Sequence, residues 1–203
     1  MSRLTIDLNT KLGKTITKYD ELIQQLDLSE KEIKIIKMYT ECSDSFLYTT
    51  MYEQKETDKE RFETFKRKFH GRKYLLSHSK LIILDSIISK FKTKDELVVY
   101  RGTHEKKFQD VSVANNDKIT LLPPTSTSIR RDIVYDYISR EYPLLLEIHL
   151  PKNTPALWLK PFSLYPTECE FLLNSKSQFV IEGYTTEPIK DIITKKIVLA
   201  KIS

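Results

Sequence analysis

Between residues 29 and 91 the apolar side chains recur every three or four positions, whereas from residue 96 onward they alternate or come in short runs. The first period is that of a helix with one buried face, the second that of strands. Ser29-Glu30-Lys31-Glu32 carries the S-x-x-E signature of a capping box, and Ile33, Ile36 and Tyr39 follow at helical spacing. The pattern therefore predicts a helix over Glu30 to Glu41. Asp58 to Phe69 and Ser77 to Phe91 read as two more amphipathic helices, with Gly71 between them. The second places Leu81, Leu84, Ile87, Ile88 and Phe91 on one stripe.

Five strands are expected: Leu97 to Arg101, Leu144 to Leu150, Glu168 to Leu173, Gln178 to Tyr184 and Lys196 to Ile202. Asn174 to Ser177 reads as a hairpin loop between the third and fourth. All 8 prolines lie beyond Leu122, which leaves the first part free of helix breakers. Helices first and strands afterwards argue for an α+β fold, a helical part flanking a mostly antiparallel β core. Residues 1–27 are expected as an N-terminal extension, and 28–203 as a single domain, helical over 28–94 and β over 95–203.

Composition removes several classes of function. The chain has 203 residues and only 4 glycines, Gly13, Gly71, Gly102 and Gly183, too scattered for G-x-G-x-x-G or a P-loop. No apolar run reaches the roughly 18 to 20 residues of a membrane span, and the N-terminus does not lead into a signal peptide. The expectation is a soluble protein, cytoplasmic or delivered into a host cell by an unconventional route. Cys42 and Cys169 are the only thiols and have no zinc spacing, so neither a disulfide scaffold nor a metal is expected. His104-Glu105 lacks the second histidine of H-E-x-x-H, and there is no G-x-S-x-G elbow. The net charge of +5 is a mild bias, compatible with an anionic ligand.

Three short motifs in the β part carry chemistry. Val99-Tyr100-Arg101-Gly102 ends an apolar strand on a guanidinium, a rigid fork for phosphate or carboxylate, followed by a residue that lets a ligand approach the backbone. Thr125-Ser126-Thr127-Ser128 follows Pro123-Pro124, and Glu168-Cys169-Glu170 opens a strand. Period-2 alternation puts Glu168 and Glu170 on one face, and two carboxylates side by side repel unless a cation or polar site receives them. Taken singly, each motif has an ordinary structural reading: a surface ion pair, a turn or helix cap, a solvated face.

Taken in order, the arginine, the Ser-Thr-Ser and the Glu-x-Glu are spaced 25 and 44 residues apart, counted Arg101 to Ser126 to Glu170. This set resembles the arginine-serine-glutamate class of mono-ADP-ribosyltransferases, which includes cholera-like and clostridial toxin enzymes and vertebrate ecto-enzymes. The likeness extends to Tyr165 three residues before Glu168, to Glu170-Phe171-Leu172-Leu173, and to the helix Ser29 to Thr40 with its Tyr39-Thr40 end. It covers the chain from about Leu28 onward. One departure is Pro124, where the class commonly has an aromatic residue two before the first serine.

The resemblance implies a split β core of two small, mostly antiparallel sheets that clamps NAD as co-substrate without a glycine-rich turn. It implies that Glu170 holds the ribose 2′-hydroxyl and stabilises an oxocarbenium-like transition state as nicotinamide leaves. Arg101 would bind the NAD phosphates or ribose, Gly102 would present its backbone to the carboxamide, and Ser126 would orient Glu170. Thr127 and Ser128 would support that strand. Glu168 matches the position that engages an acceptor guanidinium, which implies an arginine side chain on a target protein. Phe162 and Tyr165 would contact that protein.

Alternatives stay open at this point. Water or a nucleic-acid base can replace arginine as acceptor. A different class is a non-enzymatic nucleic-acid binding module using Lys66, Arg67, Lys68, Arg72 and Lys73 between Phe65, Phe69 and Tyr74, for which a solvated basic helix face is the simpler reading.

Overall fold

The structure is a computed structural model describing residues 10–41, 78–103, 117–121, 124–138, 140–141 and 143–202. The expected helix Asp58 to Phe69, Gly71, Cys42, His104 and the basic cluster around Lys66 to Lys73 lie outside them. The fold is α+β. Helices α1 (Lys11–Gln24), α2 (Glu30–Glu41) and α3 (His78–Lys90) come first. The remaining elements are β1 (Leu97–Thr103), β2 (Lys118–Leu121), β3 (Thr125–Ser128), a short helix α4 (Arg131–Val134), β4 (Leu144–Leu150), β5 (Ala156–Trp158), β6 (Glu170–Leu173), β7 (Ser177–Ile189) and β8 (Ile192–Lys201). Single 3-10 turns at Tyr135–Tyr137 and Pro166–Glu168 precede β4 and β6.

The capping box at α2 forms as its sequence dictates. The Ser29 amide donates to Glu32 Oε2 at 3.0 Å, and the Glu32 amide donates back to Ser29 Oγ at 3.3 Å. The buried face of α2 is Ile35, Ile36 and Tyr39, rotated slightly from the expected stripe because Ile33 is only half-buried. In α3 the expected stripe is buried in full, Leu81, Leu84, Ile87 and Ile88, with Phe91 just beyond its end.

Helix α1 falls in the stretch expected as an extension. Thr10 caps it by accepting from the Gly13 amide at 3.0 Å, and Ile16, Tyr19 and Ile23 enter the same core as the other helices. There the Tyr19 ring meets Phe171 edge-on at 4.9 Å, and Trp158 lies 4.8 Å from Phe171. Asp20 accepts from Trp158 Nε1 at 2.8 Å and pairs with Lys160, so a polar tie locks the helix onto the sheet.

The strands hydrogen-bond in the order β2-β7-β8-β4-β1-β3-β6-β5. Every registered pair is antiparallel except β4 with β8. The expected two small sheets are the two ends of this order, joined at a seam where β1 and β3 share a single pair of partners, Tyr100 and Ser128. The stretch Asn174 to Ser177 is not a hairpin loop, a correction to the local reading. It carries the chain from β6, beside β3 and β5, across to β7, beside β2 and β8.

Alternation along β4 sends Leu144, Leu146 and Ile148 into the main core and Leu145 to the opposite face. There Leu145 packs with Val134 and Ile189 in a second, smaller cluster that seats α4 on the sheet. The segment after Ser128 forms α4 and the 3-10 turn at Tyr135–Tyr137.

Candidate active site

A cavity of about 420 Å³ opens over the seam between β1 and β3, within the range of roughly 300 to 1,000 Å³ common for ligand sites. Its walls come from α2 (Tyr39, Thr40), β1 (Tyr100 to Thr103), β3 (Ser126 to Ser128), the α4 region (Tyr137) and the segment from Ser163 to Glu170. Arg101, Gly102, Ser126, Thr127, Ser128, Tyr165, Glu168 and Glu170, eight of the nine residues singled out in sequence, meet at this one cavity. Phe162 is the exception: it is half-buried and packs against the main core.

Glu170 starts β6 opposite Ser128 and is only 7% exposed. Burial pushes its carboxyl up to about 7, and the nearby Glu168 charge pushes the same way. A hydrogen bond from the Ser126 side chain and the Arg101 guanidinium oppose that rise. The Arg101 fork is itself fixed, Nη1 donating to the Ser126 carbonyl at 2.9 Å. Tyr39, buried above the same pair, has its phenol pushed up by burial and by the Glu170 charge, so its hydroxyl keeps its proton. Thr127 donates to the Phe171 carbonyl at 2.8 Å, joining β3 to β6 beneath the cavity.

Glu168 and Glu170 do share a side of the chain, but not through strand alternation. Glu168 ends a 3-10 turn, and Cys169 adopts the left-handed conformation, φ 49°. That reversal turns the Cys169 thiol into the core, where burial pushes it up to about 11, and leaves both carboxylates on the cavity. A non-glycine residue in this region carries a strain of about 1 to 3 kcal/mol and must be held in place. The Ser128 hydroxyl donates to the Glu168 carbonyl at 2.5 Å, the Ile129 amide to the Cys169 carbonyl at 3.4 Å, and Arg130 Nη1 to the Thr167 carbonyl at 3.2 Å.

Arg130 was not legible as a site residue. It is 7% exposed and paired with Asp132 at 2.5 Å, an ion pair that holds the Asp132 carboxyl below its ordinary value. Tyr137 is the other omission: its hydroxyl donates to Glu168 Oε1 at 2.5 Å. Where Pro124 removes an expected aromatic, the cavity still has Tyr39, Tyr100, Tyr137 and Tyr165 in its walls. Tyr165 stands 60% exposed at the rim beside Leu164, 61% exposed. Among the described residues no three His, Cys, Asp or Glu side chains group as a metal site, and no helix is long and apolar enough to cross a membrane.

Comparison with known proteins extends these observations. The family described as ADP-ribosyltransferase exoenzyme matches residues 18–202. NAD(+)--arginine ADP-ribosyltransferase EFV of Enterococcus faecalis (strain ATCC 700802 / V583) is 28% identical over 103 residues, which are 49% of this chain and 20% of that protein. The chain therefore spans about a fifth of that relative. Among solved structures, Plx2a, an ADP-ribosyltransferase toxin from Paenibacillus larvae, superposes with a TM-score of 0.69 at 20% identity, over 98% of this chain and 100% of that one. The C3 exoenzyme of Clostridium limosum gives 0.69 at 13% identity, over 98% of each chain. C3stau2 from S. aureus, solved with NAD, gives 0.68 at 19% identity over 96% and 97%. At these identities the structural likeness is one of fold, and the sequence match supplies the family. With the match running from residue 18 to residue 202, the chain belongs to the ADP-ribosyltransferase exoenzyme family.

Proposed function

We propose that this chain transfers ADP-ribose from NAD to an arginine side chain of a target protein, releasing nicotinamide. The observation that carries the reading is Glu170, a carboxylate 7% exposed at the floor of the cavity, hydrogen-bonded by Ser126 and faced by Arg101. The donor set fits NAD: a guanidinium for the diphosphate, a buried carboxylate for a ribose hydroxyl, and aromatic walls for a ring. Family membership and the NAD held by the S. aureus neighbour support the same co-substrate.

Breaking the bond between nicotinamide and ribose sends a neutral pyridine away with the bonding pair and leaves positive charge on the sugar. A fixed carboxylate beside that sugar stabilises the transition state more than the ground state, because the charge develops only as the bond breaks. Glu170 fills this role. Arg101, braced on a main-chain carbonyl, holds the phosphates, and Ser126 orients Glu170. At the rim Glu168 accepts the proton that the guanidinium gives up as its nitrogen bonds to the anomeric carbon. The E. faecalis relative, an arginine ADP-ribosyltransferase, supports arginine as acceptor. Tyr165, exposed at the rim, is the proposed contact for the target protein.

The test is to incubate the chain with labelled NAD and a cell lysate and to map the modified side chain. Label on arginine is the expected outcome. Label on a different side chain or on nucleic acid, or nicotinamide release without any labelled macromolecule, rejects arginine transfer.

A further inference from the structure

Glu168 is held at both ends. Its main-chain carbonyl accepts from Ser128 Oγ, and its carboxylate Oε1 accepts from the Tyr137 hydroxyl, each at 2.5 Å. The second bond joins the segment before β6 to the 3-10 turn Tyr135–Tyr137, and that turn is itself pinned from two sides. On one side it rests on β1 at Gly102, where an added Cβ would meet the Val134 carbonyl at 2.2 Å and Ile138 Cγ1 at 3.1 Å. On the other, the β7–β8 hairpin grips it through the ion pair of Lys190 with Asp136, and grips α4 just before it through that of Glu187 with Arg131. Ile189, at the tip of that hairpin, packs in the cluster with Val134. Tyr137 is 54% exposed, so its ring adds little to the core, and what its placement secures is the hydroxyl.

We infer that Tyr137 is the positioning residue of the acceptor step: its hydroxyl fixes the Glu168 carboxylate through Oε1 and leaves Oε2 to receive the incoming guanidinium. This rests on the reading of Glu168 as the group that takes the acceptor proton. The consequence is single-point capture. A guanidinium that meets one oxygen presents one nitrogen, and that nitrogen is the one set to bond to the sugar. Burial and the neighbouring Glu168 both push the Tyr137 phenol up, so it stays protonated and keeps donating at neutral pH. The Tyr137 bond goes to Glu168, so its loss should weigh on transfer far more than on cleavage of NAD.

The experiment compares the wild-type chain with Tyr137→Phe, using NAD with agmatine as a free guanidinium acceptor and following nicotinamide release and ADP-ribosyl-agmatine separately. Loss of one hydrogen bond to a charged group predicts that the ratio of transfer to hydrolysis falls about tenfold. The fall is expected in kcat for transfer, without a rise in KM for agmatine and with an unchanged melting temperature. An unchanged ratio, or transfer and hydrolysis falling together, overturns the inference. If the wild type cleaves NAD but leaves agmatine unmodified, the same ratio is read on labelled lysate protein, and label mapped to a side chain other than arginine fails the arginine reading instead. There, Tyr137→Phe must still cut labelling more than hydrolysis, and an unchanged ratio overturns the role of Tyr137.

Discussion

The guanidinium of Arg101 donates from Nη1 to the main-chain carbonyl of Ser126 at 2.9 Å, across the seam where β1 and β3 share one residue pair. The arginine is thus both a brace between the two ends of the sheet and the cation at the cavity. Lysine keeps the charge but loses the planar fork, so it cannot hold the carbonyl and a phosphate together. Arg101→Lys is expected to lower kcat/KM for NAD by about 10- to 100-fold, the scale of one or two charge-assisted hydrogen bonds. Steady-state kinetics check this, and near-normal kinetics would reduce Arg101 to a point charge.

Glu170 links acidity to stability. Its carboxyl is raised from an ordinary 4.5 to about 7, so the folded state holds this proton more tightly than the unfolded chain does. The stabilisation is complete below the ordinary carboxylate range and is lost as pH rises through about 7. Glu170→Gln removes this dependence. Urea unfolding from pH 4.5 to 8 should therefore show the wild type losing on the order of 3 kcal/mol relative to the variant. Parallel profiles would mean that the carboxylate is not buried as described. In the same window kcat/KM for NAD should rise with pH as Glu170 ionises.

Gly102→Ala tests how tightly the α4 region sits on β1. The added methyl meets a backbone oxygen, which cannot swing aside as a side-chain end can. Overpacking of this kind costs about 1 to 3 kcal/mol. The variant should melt earlier and turn over more slowly, because the displaced turn carries Tyr137. Gly183→Ala, with nothing within 4 Å of the added Cβ, serves as the comparison and should change neither.

Asp20→Ala tests whether α1 belongs to the working fold. It strips the acceptor from the indole of Trp158, a fully buried side chain, and the partner from Lys160. Leaving a buried donor unmet costs about 1 to 3 kcal/mol, which a urea titration resolves. No loss would mean that α1 is a loosely held appendage.

The contrast between what the sequence makes legible and what it hides follows from the range of the forces involved. The α2 cap and the α3 stripe are local, set by spacing within one helix, and both appear as read. Thr125 to Ser128 has no apolar residue and, taken singly, reads as a turn or helix cap. It is nonetheless a strand with Thr125, Thr127 and Ser128 buried, because partners distant in sequence accept its hydroxyl bonds, such as the Phe171 carbonyl for Thr127. The false hairpin at Asn174 to Ser177 has the same origin, since a local pattern carries no information about which strand lies alongside.

Helix α1 was legible in principle, through Thr10 as a cap and the spacing of Ile16, Tyr19 and Ile23. The left-handed Cys169 was not, because sequence rarely marks such a conformation at a non-glycine residue. The motif residues nonetheless converge, since the ordered set Arg, Ser, Glu reports a constellation rather than a local structure. Tyr137 and Arg130 bond to Glu168 and to the turn before β6, and no spacing rule points to them.

The most direct test of the account measures nicotinamide release and ADP-ribosyl-arginine formation side by side in the wild type, Glu170→Gln and Glu168→Gln. Glu170→Gln is predicted to lose both activities by about 10² to 10³, the scale of one preorganised electrostatic contact. Glu168→Gln is predicted to lose arginine transfer while retaining release of nicotinamide. Undiminished nicotinamide release from Glu170→Gln would contradict the assignment of this carboxylate to bond cleavage, and with it the proposed function.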